Sequence, residues 1–232
     1  MPTSRRTPRR ASPRTVPVPH PPRLDLRAPA DLLPGELREL VVSQHAEGLR
    51  FTEQTLTGED LTGARLVECE LLDVELQDVA LTGATVAESR LVRLTSPHLA
   101  AARSTWRAVE ILGSRVGVAE LHDAGISELR IADSKLDLVN LRSASLTDVV
   151  LDGCTLTELD LGAAKVRRMQ VRDCGIGTLD LTGADLQHVD LRGARVSRIV
   201  GLAGLRGTTI SPEQLMDLAP AFAEHLGLDV QD

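Results

Sequence analysis

Residues 141–200 read, in blocks of five, LRSAS LTDVV LDGCT LTELD LGAAK VRRMQ VRDCG IGTLD LTGAD LQHVD LRGAR VSRIV. An apolar residue opens every block, and a period of five belongs neither to a helix nor to a long strand. Followed back, this column holds 30 residues from Phe51 to Val196, and only Ser96 among them is not apolar. A second column, two residues earlier, is small or apolar from Ala64 to Ala194 and contains Cys69, Cys154 and Cys174. Over residues 64–196 the two columns occupy 54 positions without one charge, whereas the other 79 positions carry 35 charges.

Side chains two apart share a side only where the chain is extended, so each block is a short strand followed by a two-residue corner. Gly58, Gly63, Gly83, Gly113, Gly153, Gly183 and Gly193 all fall at the second corner position, where a positive φ is expected. Strand, corner, strand winds a coil. Between Ala124 and Ile199 the second column alternates small and large, a ten-residue rhythm that stacks like on like only with an even number of sides. The reading is therefore four sides and 20 residues per coil, with residues 51–200 making about seven and a half coils, a shaft on the order of 36 Å long.

These residues resemble the pentapeptide repeat family, whose loose consensus is A(D/N)LXX. The clearest matches are GEDLT from Gly58, GARLV from Gly63, GADLQ from Gly183 and GARVS from Gly193. The resemblance covers about 150 residues and implies an all-β solenoid, a right-handed quadrilateral parallel β-helix. The sequence departs from the consensus at TSPHLAA from Thr95, which puts Ser96 and Ala101 in the core column and Pro97 beside it. Proline removes a ladder donor, so that coil is expected to be distorted or bulged, with Trp106 filling the volume left empty.

The flanks divide the chain further. Residues 1–23 hold seven prolines and six of the 26 basic residues but none of the 33 acids, which leaves the rest of the chain at −13; they read as a disordered, basic, proline-rich tail. Residues 24–50 form an N-terminal flank or cap whose pattern does not decide between strand and helix. Residues 201–232 carry a C-terminal cap. There Ser211, Pro212 and Gln214 supply an N-cap, a first-turn proline and a capping-box partner, and Leu215, Leu218, Phe222 and Leu226 lie on one helical stripe over about 212–225. Pro220 is expected to bend or split that helix. The helix reads as a lid over the open sheet edge, and the resemblance adds homodimerisation through it as an alternative.

Composition narrows the function. Two Phe, one Trp and no Tyr argue against base-stacking, sequence-specific nucleic-acid binding, and no apolar run approaches a membrane span. Three cysteines without CxxC spacing predict neither a disulfide framework nor a metal site, and their inward placement predicts unreactive thiols. The start of the chain lacks the apolar region of an export signal, so the expected location is cytoplasmic. Arginine outnumbers lysine 24 to 2, a bias expected of a GC-rich bacterial genome. Histidines lie scattered and no nucleophile or phosphate-loop motif occurs, so neither an enzyme nor a cofactor is expected.

What remains is surface. One outward row reads Asp60, Ala80, Ala100, Glu120, Asn140, Asp160, Asp180, and its acids Asp60, Glu120, Asp160 and Asp180 form a candidate acidic interaction face. Residues 53–78 add eight acids and one base. The first expectation is a structural or protein-interaction module with an unidentified protein partner. The second, carried by the resemblance, is a DNA-mimicking regulator or inhibitor of a type II topoisomerase, gyrase. For the fold, Leu141→Asp should be far worse than Arg142→Asp, which is expected to touch only solvent.

Overall fold

The computed structural model describes residues 18–231. All strand pairs are parallel, and apart from the two terminal pairings, Leu33 with Leu49 and Val189 with Thr208, each joins residues 20 apart, such as Arg50 with Glu70, Leu91 with Ile111 and Val149 with Met169. The longest ladder runs through ten strands, from Leu33–Pro34 to Thr208–Thr209, and so spans about nine turns. The solenoid thus extends beyond residues 51–200 at both ends. Every core-column residue from Phe51 to Leu191 is buried, Ser96 included, and the three cysteines are free and buried.

Corners are where the backbone is strained. Glu68, Asp73, Glu88, Asp133 and Asp148 sit at φ between 51° and 60°, as do many other residues at the same position of the repeat. A left-handed conformation costs a non-glycine residue roughly 1–2 kcal/mol. Each such corner is offset by a ladder bond: Glu53 N–H reaches Leu72 O at 2.9 Å and Glu88 N–H reaches Arg107 O at 2.8 Å. Gly193 departs from the expectation, since its φ is not positive. It is needed instead for close approach, because a Cβ there would lie 2.9 Å from Arg172 Cα and from Val171 O.

The coil at Pro97 neither slips nor bulges out of register. Thr95 still pairs with Glu75 and Arg115, and Leu99 with Val79 and Ala119. What changes is the corner: it is left-handed at Gly58 and Asp78, whereas residues 95–100, 115–120, 135–140 and 155–160 run through it as continuous strands. Proline fixes its own φ near −65° and disfavours a helical turn before it, which accounts for the switch beginning there. Gly117 then packs so closely that a Cβ would lie 2.4 Å from Pro97 O. Trp106 is buried, and its Nε1–H donates to Ser104 Oγ at 2.7 Å.

The small residues of the second column have a polar task as well. Leu94 N–H donates to Ser114 Oγ, Ser114 N–H to Ser134 Oγ and Cys69 N–H to Ser89 Oγ, each at 3.0 Å, and Cys154 N–H to Cys174 Sγ at 3.3 Å. The side chain of one coil accepts the amide of the coil before it. Hydroxyl and thiol are therefore wanted there for more than their size.

A helix lies at each end of the shaft, and the two differ in how they are held. At the N-terminal end α1, Leu37–Ser43, drives Leu37 and Leu40 into the open core, each 2% exposed. Gln54 clamps it: Oε1 accepts Leu37 N–H at 2.8 Å and Nε2 donates to Gly35 O at 2.7 Å. At the other end α2, Pro212–Leu226, starts with the full capping box on Ser211 and Gln214. It runs unbroken through Pro220 rather than splitting there. The carbonyl that loses its donor belongs to Met216, which is 73% exposed and open to water.

The boundary expected at residue 23 falls inside a structured segment. Residues 1–17 of the expected tail lie outside the described residues, but from Val18 onward extended chain runs along the shaft. Its amides meet side chains that together span three coil steps: His20 N–H donates to His188 Nδ1 at 3.4 Å, Arg23 N–H to Asp148 Oδ1 at 2.8 Å and Asp25 N–H to Glu128 Oε2 at 3.0 Å. Asp31, at φ 54°, lies between this strap and the first strand.

Candidate functional site

Because the coil repeats every 20 residues, the surface is a set of columns. The structure pairs residues of the predicted acidic row in neighbouring coils, Asp60 with Ala80, Ala100 with Glu120, Glu120 with Asn140 and Asp160 with Asp180. Their carboxylates are mostly engaged locally. Asp60, Asp160 and Asp180 accept the N–H groups of Thr62, Gly162 and Thr182, each at 2.8 Å, and Asn140 accepts that of Arg142 at 3.1 Å. An aspartate at this position closes its own corner, as short acidic side chains do in turns.

Arg142 then lies across the lower half of the row, 2.9 Å from Asp160 and 3.4 Å from Asp180. Glu120 has His98 Nε2 at 3.6 Å. The hydroxyl and amide of Thr62 hold the Asp60 carboxyl below the usual range. Burial alone would raise Asp180, but Thr182 and Arg142 together outweigh it and leave it lowered. Of the four acids, only Asp60 has no basic side chain within ion-pair distance among the described residues.

The predicted helical stripe divides. Leu218 and Phe222 are half-buried, with Leu218 facing Val196, Ile199 and Ile210 across an open cleft of about 520 Å³. Leu215 and Leu226 are 51% and 68% exposed, and Met216 joins them on the outside. No residue of α2 is fully buried. Its tether is Gln214, whose Nε2 donates to Leu191 O at 2.7 Å and Ala194 O at 2.6 Å.

Two surface features escape a reading by composition alone. One is a ladder of alternating sign, Arg50, Glu70, Arg90, Glu110, Arg130, in which Arg50 and Glu70 approach to 2.6 Å, Arg90 and Glu110 to 3.2 Å, and Arg130 and Glu110 to 3.4 Å. Its signal was present in the 20-residue spacing. The other is the corner column Glu128, Asp148, Arg168, His188 under the strap. There Arg168 grips Asp148 through two bonds of 2.6 and 2.7 Å and, with the Arg23 amide, holds that carboxyl below its ordinary range. Among the described residues no cluster of three potential metal ligands occurs, and no helix is long and apolar enough to cross a membrane.

The family model described as pentapeptide repeats matches residues 134–168 and 179–198, in eight copies. No curated protein matches the sequence. Among solved structures the chain is similar to a trypsin-treated form of QnrB1, described as a plasmid-mediated fluoroquinolone resistance protein, with 15% identity and a TM-score of 0.36 over 78% of this chain and 100% of that one. It is also similar to HetL, a pentapeptide repeat protein involved in heterocyst differentiation regulation from the cyanobacterium Nostoc sp. strain PCC 7120, with 18% identity and a TM-score of 0.27 over 76% of this chain and 96% of that one.

Proposed function

The chain is a pentapeptide-repeat protein, and on that premise we propose that it is a non-enzymatic protein-interaction module whose partner binds the outside of the shaft. The observation that carries this reading is the filled interior. The enclosed cavities among the core leucines measure only about 20–30 Å³, whereas a small-molecule site needs roughly 300 Å³ or more. The larger spaces are open clefts, one beside α2 and one between residues 25–30 and the side of the shaft. Capture with the full-length protein from its native host, at about 0.15 M salt, should retain a protein partner in a fixed ratio. Retention of none would sink the reading.

A DNA-mimicking inhibitor of a type II topoisomerase is the second reading, and one observation favours it. Of the eight acids in 53–78, only Glu70 and Asp73 form ion pairs among the described residues, so the N-terminal third of the shaft is the more negative part. Arg142 counts against its extension to Asp160 and Asp180. If charge mimicry operates, gyrase supercoiling should be inhibited most strongly at low salt. The exposed Leu215, Met216 and Leu226 fit pairing with a second copy, which sedimentation of the protein and of Leu215→Glu would detect as a dimer lost in the variant.

A further inference from the structure

The strap is a bound extended peptide that happens to be covalently attached. It does not join either sheet, so its own amides are taken one by one by side chains of the corner column. The amides of His20, Arg23 and Asp25 are accepted in turn by His188, Asp148 and Glu128, at strap spacings of three and two residues. Three residues of extended chain rise about 9–10 Å, which matches two coil steps of about 4.8 Å, so the spacing suits a chain lying along the shaft axis.

The track is built rather than incidental. Asp148 is only 7% exposed although it occupies a corner, and it is oriented by the two-bond grip of Arg168. His20 meets His188 edge to face, with ring centroids 4.4 Å apart. Along the strap Pro19, Pro22, Leu24, Leu26 and Pro29 are half-buried while most of the residues between them are exposed, the signature of a chain read from one side. The seating is incomplete, because beyond the Asp25 anchor an open cleft of about 580 Å³ lies between Arg27–Ala30 and Glu68 and Glu88.

We propose that the corner column Glu128, Asp148, Arg168 and His188 is a docking track for an extended, proline-containing peptide, occupied in cis by residues 18–30 and open to a partner peptide of the same chemistry when the strap lifts. The inference rests on the protein-interaction reading and narrows it to one surface; its failure would leave the other faces of the shaft available to that reading. Three single-amide anchors without strand pairing hold the strap, which leaves it exchangeable.

The test uses full-length protein and a fluorescent peptide of residues 18–30, VPHPPRLDLRAPA. Arg23→Pro removes the amide that Asp148 accepts while keeping the extended backbone. Anisotropy should show the peptide binding this variant about tenfold or more tightly than the parent, the scale of one lost charge-assisted bond. Asp148→Ala added to Arg23→Pro should abolish the gain. Equal binding by parent and Arg23→Pro, binding by neither, or a gain indifferent to Asp148→Ala would each overturn the proposal. Hydrogen exchange on the unaltered protein tests the cis contact independently of any variant. The amides of His20, Arg23 and Asp25 should exchange more slowly than in the free peptide, and exchange at the free-peptide rate would also overturn it.

Discussion

Ser96 places a hydroxyl in a column that otherwise carries apolar side chains, and its Oγ is buried, 1% exposed as a residue, without a hydrogen-bond partner. An unsatisfied buried hydroxyl costs about 1–3 kcal/mol. Ser96→Ala is therefore expected to stabilise the protein by about 1 kcal/mol, visible as a raised midpoint in chemical unfolding; a destabilised variant would mean that the hydroxyl is engaged. Leu141 and Arg142 give the complementary comparison. Leu141 is 6% exposed, and Leu141→Asp should cost about 2–5 kcal/mol or more through lost packing and a buried charge. Arg142→Asp was expected from sequence to touch only solvent, but the guanidinium bridges Asp160 and Asp180, so that change removes an ion pair and adds a third acid. It should cost measurably but far less than Leu141→Asp, with the loss shrinking in high salt, whereas that of Leu141→Asp should not.

At the scale of elements, α1 is seven residues long with no side-chain N-cap bond, too short to hold itself. It stays because Leu37 and Leu40 plug the core and Gln54 ties its entry. Gln54→Ala should leave Leu37 N–H and Gly35 O unpaired and cost about 1–3 kcal/mol, with amide exchange quickening over residues 35–43 ahead of the shaft. Unchanged exchange there would show that the two leucines suffice. The contrast between shaft and ends explains what could be read beforehand. A core column such as Leu141, Leu146, Leu151 repeats one environment, so its period is visible in any window. The strap has no period: its partners His188, Asp148 and Glu128 lie 168, 125 and 103 residues away, and its prolines read as unstructured chain. The acidic row was visible as a row, yet the corner-closing bonds of Asp160 and Asp180 depend on an amide two residues on, which charge alone does not reveal. Gly193 looked like another left-handed corner because glycine serves both positive φ and close approach, and only the coil below it shows which.

Over the whole molecule, the rungs lie closer together than the Debye length of about 10 Å at 0.1 M salt, so charges in neighbouring coils act on one another. Arginines answer many of the carboxylates. Asp73 is held low by Arg93, Asp148 by Arg168, Asp185 by Arg167 and Asp190 by Arg192, each mainly through a direct hydrogen bond. All four shifts have the same sign. A carboxyl whose folded pKa lies below its unfolded value of about 3.9 contributes stability that is fully present above that value and is lost as the pH falls through the lower folded one. The melting temperature should therefore be nearly level from pH 7 to about pH 5 and then fall below about pH 4. Asp148→Ala should lower the plateau, since Arg168 and the Arg23 amide lose their acceptor, but should make the acid limb shallower, because one of the linked protons is gone. A decline beginning near pH 6, or an acid limb of the same steepness in the variant, would show that groups other than these aspartates govern the acid response of the shaft.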